Sequence, residues 1–97
     1  MRILLVYCHP SAESFAAALR DTAIETLTAG GHELRVTDLH AQGFDPVMGE
    51  AEWRCYADPD CNRNPVAPHV DDILWAEALL FVYPTWWFGL PAMLKGY

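Results

Sequence analysis

Residues 79–97, LLFVYPTWWFGLPAMLKGY, hold the reading on which the fold turns. An apolar run, Ala78 to Tyr83, stops at Pro84. A loop with three consecutive aromatics follows, Trp86, Trp87 and Phe88, and Gly89 and Pro91 then lead into the first turns of an apolar helix. A short, nearly continuous apolar strand that hands over to a helix suits a parallel sheet covered on both faces. Rings massed in one strand-to-helix loop, rather than spread through the elements, build a flat apolar wall at the carboxyl end of the strand. Such a wall suits a planar conjugated ligand; plain core filling is the competing reading.

Working back towards the N-terminus, the same alternation recurs. Arg2 to Tyr7 (RILLVY) is aliphatic and almost unbroken, as expected of a strand buried on both faces. Cys8 to Glu13 is a loop, with Pro10 and Ser11 as breakers. Ser14 is a good N-cap for a helix running to about Ala29, and Phe15, Leu19, Ala23 and Leu27 recur every four residues as its expected buried stripe, with Arg20, Asp21 and Glu25 off it. Gly30-Gly31 supplies a glycine for the left-handed cap. His32 to Asp38 alternates Leu34 and Val36 with polar residues, which suits an outer strand. Residues 40 to 66 form a long irregular connection with turn signals at Asp45-Pro46, Asp58-Pro59 and Asn64-Pro65, and one or two helical turns within Glu50 to Tyr56. Pro68 to Glu77 reads as a helix with Val70, Ile73, Leu74 and Glu77 at helical spacing.

Composition narrows the classes. A 97-residue chain is at most one domain, and 53% hydrophobic with 20% charged residues is a globular balance. The formal net charge of −7 argues against nucleic acid or an anionic membrane as the main partner. No stretch reaches the ~20 apolar residues of a membrane span, and the N-terminus lacks the cleavage site of a signal peptide. Three cysteines, Cys8, Cys55 and Cys61, without a secretory signal favour reduced thiols and a cytoplasmic location. Cys55, Cys61 and His69 are poorly spaced for zinc, so no metal is expected. Cys8 reads better as a small buried residue than as a nucleophile.

The order of elements is strand, helix, strand, long loop, helix, strand, loop, helix start. It predicts an α/β fold, a doubly wound parallel sheet; of the common orders, 2-1-3-4-5 places the first strand between the second and third, and this chain holds the first three strands. In that order the loops after strands one and three sit side by side at the switch point, where open α/β sheets bind ligands. Cys8–Ser14 and Pro84–Leu90 should therefore face one crevice. The first loop ends at a helix N-terminus, which favours an anion, with His9, Ser11 and Ser14 as further polar groups. There is no GxGxxG and no Walker sequence. An anion seat beside an aromatic wall matches a phosphate-bearing planar cofactor such as a flavin nucleotide.

These residues carry a resemblance. His9-Pro10 followed by Ser14-Phe15 is similar to the opening HxxxSF-type motif of the flavodoxin-like NAD(P)H:quinone oxidoreductases (the DT-diaphorase family). Asp38-Leu39 with Gly43-Phe44-Asp45-Pro46 resembles that family's segment after strand two. Pro84 to Tyr97 closely matches its P-x-W-F-G-x-P-A-x-L-K-G-aromatic segment. The resemblance runs through the whole chain in order and implies the N-terminal half of one flavodoxin-like domain, with catalytic residues beyond residue 97. It further implies a flavin, FAD or alternatively FMN, held at a homodimer interface, with NAD(P)H as co-substrate and a quinone or similar small molecule as electron acceptor. Carried over by position, His9, Ser14, Phe15 and Ala16 would meet the phosphates, and Pro84, Thr85, Trp86, Trp87 and Phe88 the ring and ribityl. Ala16 departs from DT-diaphorase, which has Asn there, and this leaves FAD against FMN open. A flavodoxin-fold electron carrier or regulatory flavin-binding subunit, and an interaction fragment that packs its aromatic loop on a partner, are the other classes.

Overall fold

The computed structural model describes all 97 residues. Three parallel strands form one sheet in the order β2-β1-β3: β1 is Arg2–Tyr7, β2 Glu33–Asp38 and β3 Ala78–Val82. The central position of β1 explains its composition. Leu4, Val6 and Cys8 face one side with Leu39 and Leu94, while Leu5 and Tyr7 face the other with Ala16, Ala17 and Val82. Alternate residues thus point into two separate apolar layers, which is why the strand is apolar at nearly every position. Full burial of each of its aliphatic side chains stabilises the fold by about 1.5–3 kcal/mol.

The first helix, α1, spans Phe15–Ala29, with Ser14 as N-cap and Gly31 in the left-handed conformation just past its end (φ 83°). Its boundaries match the expectation, but its rotation does not. Ala16 and Ala17 are buried against the sheet, whereas Phe15 is 79% and Leu19 46% exposed. Ala23, Ile24 and Leu27 continue the inner face, and Arg20, expected off the stripe, lies partly covered over the Tyr7 ring. Small side chains let the first turn of the helix settle close to the sheet, so Ala16 and Ala17 take the inward positions there and Phe15 and Leu19 stay outside.

β2 is an outer strand as expected, and Leu34 is half-buried between exposed neighbours, but Thr37 is buried and Val36 exposed, because Thr37 faces the core side at the end of the strand. The long connection contains α2 (Glu50–Cys55) and a 3-10 turn, Asn64–Val66. Cys55 and Cys61 are joined as a disulfide across Cα atoms 5.9 Å apart, and Cys8 is the free, buried thiol. This corrects the expectation of three reduced thiols: the turn at Asp58, whose carbonyl accepts from Asn62 N–H at 2.8 Å, folds the two sulfurs together. The bridge also removes both sulfurs from any zinc site.

Next comes α3, Ala67–Trp75. It stops short of Glu77, whose N–H donates to Arg2 O and whose carboxylate accepts from Arg2 N–H at 2.8 Å. Glu77 therefore belongs to the entry of β3 and not to the helix. Leu74 is 69% exposed; the covered side of α3 carries Asp72 and Trp75, which meet Arg35 by an ion pair at 2.9 Å and by ring contact at 4.2 Å. The last helix, α4, is Ala92–Gly96. No helix is long and apolar enough to cross a membrane.

Candidate functional site

The carboxyl ends of the strands are tied before the loops depart. Cys8 N–H donates to Val82 O at 3.1 Å, and Leu39 N–H to Tyr7 O at 3.0 Å. The chain then leaves β1 as the loop 8–14 and enters α1. Ser14 is extended (φ −78°, ψ 160°), and its Oγ accepts from Ala17 N–H at 3.1 Å and donates to Ser11 O at 2.9 Å. Ala18 N–H goes to Ser14 O. The N–H groups of Phe15 and Ala16, first in the helix, have no acceptor within it. Together with the positive end of a fifteen-residue helix they offer donors of the kind an anion takes.

His9 belongs to the same loop. Ser11 N–H donates to His9 Nδ1 at 2.9 Å. An acceptor Nδ1 assigns the proton of the neutral ring to Nε2, which leaves the imidazole as a donor on its other side. Of the other residues read from the sequence, Ser14 acts through its cap, Phe15 projects into solvent, and Ala16 turns its methyl into the core, so only its N–H is available.

The second loop is tighter than the sequence suggests. Trp86 and Gly89 exchange backbone hydrogen bonds, both 3.1 Å, and close a turn with Trp87 (φ 49°) and Phe88 (φ 65°) at its centre. Two consecutive left-handed residues are the signature of a type I′ turn, a role normally filled by Asn and Gly. Here two bulky aromatics hold it, at a cost of roughly 1–2 kcal/mol per residue. Their rings are not using that strain to fill the core: Trp87 is 95% and Phe88 100% exposed. Pro84 is half-buried and Thr85 exposed at the root of the loop. Strained, solvent-facing aromatics on a rigid turn belong to a surface built to meet something.

The two loops meet. The His9 and Trp86 rings lie edge to face with centroids 5.6 Å apart and an interplanar angle of 62°. Residues 77 positions apart thus lie side by side at the carboxyl edge of the sheet, where a doubly wound fold has its crevice. Chemically, the crevice offers backbone and imidazole donors beside aromatic surface. Sequence reasoning missed Tyr7, whose hydroxyl reaches Ser11 O, and Arg20, which covers the Tyr7 ring. Only the sheet register and the true rotation of α1 reveal either.

A separate cleft of about 500 Å³ lies between the Phe44–Met48 segment, α3 and α4. Phe44, His69 and Tyr97 stack edge to face at its floor, and burial pushes the Tyr97 phenol up from its ordinary pKa, with Asp72 adding to the shift. It shares no residue with the His9–Trp86 pair. The crevice is the stronger candidate for cofactor chemistry.

Comparison with known proteins agrees with the fold. Residues 1–97 match the model of the family described as Flavodoxin-like fold. The chain is 30% identical to NAD(P)H dehydrogenase [quinone] 1 of Cavia porcellus, over 99% of this chain and 41% of that protein. It superposes on an NAD(P)H:quinone oxidoreductase from Methanothermobacter marburgensis with a TM-score of 0.88 and 30% identity, over 99% of this chain and 50% of that one. A putative quinone reductase from Klebsiella pneumoniae gives a TM-score of 0.85 at 30% identity, over 99% and 43% of the two chains. The chain therefore spans half the length of these relatives or less. A match along every residue, on a parallel β2-β1-β3 sheet with its crevice at the strand ends, makes this chain a member of the flavodoxin-like fold family.

Proposed function

We propose that the protein is an NAD(P)H dehydrogenase (quinone) type oxidoreductase in which this chain supplies the flavin-binding half of the domain. The observation that carries the reading is the meeting of His9 with Trp86, which puts an anion seat and an aromatic wall in one crevice. The names of the relatives support the activity. The residues present fit a flavin nucleotide. Phe15 N–H, Ala16 N–H and His9 Nε2 would hold its phosphate, and Ser14 keeps the first turn of α1 open for it. Pro84, Thr85 and Trp86 would flank the ribityl and ring, with the exposed faces of Trp87 and Phe88 beside them. FAD is the proposed flavin; FMN stays the alternative, because Ala16 offers no polar side chain towards a second phosphate. When bound, the flavin supplies two-electron chemistry between NAD(P)H and a quinone or similar acceptor. The protein residues bind and orient it, and the aromatic turn excludes water from its edge. A homodimer belongs to the same reading; the Cys55–Cys61 disulfide removes the thiol argument for a cytoplasmic location.

The deciding measurement is the visible absorption of the full-length protein before and after anaerobic NADPH. Flavin bands that bleach on addition support the reductase. Bands that persist indicate an electron carrier or regulatory subunit, and a colourless protein that binds no added flavin removes the proposal.

A further inference from the structure

Tyr7 ends β1 with 1% of its surface exposed. Its ring packs among Leu5, Ala16, Ala17 and Val82, a setting that an aliphatic residue would fill with no need of a hydrogen bond. A buried phenol does need one, since an unpaired O–H loses its hydration without compensation. Its partner is Ser11 O, 3.4 Å away. That carbonyl also accepts from Ser14 Oγ, and the N–H of the same residue donates to His9 Nδ1. Ser11 is thus the joint of the loop: it is held from the core by Tyr7, from the helix cap by Ser14, and it holds the imidazole in turn. Behind the ring, the Arg20 guanidinium carbon sits 4.5 Å from the Tyr7 centroid, and Arg20 Nη1 lies 3.7 Å from Asp38 Oδ2. Asp38, Arg20, Tyr7, Ser11 and His9 form a continuous line of contacts from the end of β2 to the crevice.

We propose that Tyr7 is a positioning residue for phosphate recognition, acting through Ser11 to keep His9 Nδ1 engaged and Nε2–H turned towards the ligand. The inference rests on the flavin-nucleotide reading of this crevice. Its consequence is selective. Tyr7 contributes to the affinity of a ligand that carries phosphate and not to that of the same ring and ribityl without it.

The test titrates full-length wild type and Tyr7→Phe with FMN, FAD and riboflavin, following quenching of flavin fluorescence. Phenylalanine keeps the ring and its contact with Arg20 and removes only the hydroxyl. The dissociation constant for FMN or FAD should rise about three- to tenfold, the change expected for one neutral hydrogen bond, while that for riboflavin stays constant. Arg20→Met, which keeps an apolar stem but releases the ring, should shift the phosphate-bearing flavins in the same direction. Equal weakening of all three flavins in Tyr7→Phe marks a merely structural role and overturns the proposal, as does unchanged FMN and FAD affinity in both variants. Wild type that binds no flavin of any kind overturns the reading of the crevice itself.

Discussion

At Trp87 and Phe88 the backbone adopts a conformation for which neither residue is suited. Replacing them by the pair that a type I′ turn prefers, Trp87→Asn with Phe88→Gly, should raise stability by about 1–3 kcal/mol in urea denaturation while lowering flavin affinity. A variant that loses stability would show that the rings hold the turn, and one that keeps its flavin affinity would show that they are not the wall. Trp87→Ala alone should weaken flavin binding through lost stacking area. Ser14 acts at the same scale but through the helix. Its Oγ satisfies Ala17 N–H, so Ser14→Ala should cost about 1 kcal/mol, read from the same denaturation curves.

At the level of elements, three connections away from the crevice tie the fold together. The α4 helix lies so close to the connection after β2 that a Cβ at Gly96 would sit 2.6 Å from Pro46 O and 2.7 Å from its Cα. Gly96→Ala should therefore destabilise by about 1–3 kcal/mol, because backbone on both sides must separate. The Cys55–Cys61 bridge closes a short loop, and Cys55→Ser with Cys61→Ser should cost about 2 kcal/mol by loop entropy; unaltered melting of the double variant would indicate that hydrogen bonds around Asp58 suffice. Glu77 joins the starts of β3 and β1. The backbone N–H of Arg2 holds its carboxyl below the ordinary value of 4.5, with the Arg2 charge assisting. A depressed carboxylate contributes stability that is present above 4.5 and is lost as the pH falls through the lower folded value. Thermal melts in acid should accordingly drop less steeply for Glu77→Gln than for wild type.

Across the whole molecule, β1 is paired on both sides and β3 on one. Leu79 and Phe81 remain 48% and 44% exposed on β3. An open parallel edge with exposed apolar side chains is a template for another chain. The 97-residue chain on its own should self-associate, and Leu79→Lys should increase the monomer fraction in light scattering coupled to size exclusion. The same layout explains why the crevice exists at all: the chain crosses from β2 on one side of β1 to β3 on the other, so the loops that follow β1 and β3 leave side by side with nothing from β2 between them.

Periodicity and breakers in the sequence determined β1 as Arg2–Tyr7, the span of α1 from its Ser14 cap and the parallel connections between strands. These follow from local patterning and from the handedness of parallel crossovers, which depend little on fine packing; the order β2-β1-β3, and with it the meeting of the two loops, is one of the common doubly wound arrangements, between which those rules do not choose. What only the tertiary structure decided is which way each element faces and what its ends touch. The rotation of α1 could not be read from residue size, because close approach to the sheet favoured Ala16 and Ala17 over Phe15 and Leu19. Nor could the left-handed turn at Trp87-Phe88, the Cys55–Cys61 bridge or the Tyr7–Ser11–His9 line be read, since each depends on atoms brought within a few ångströms by packing that no single stretch of the chain encodes.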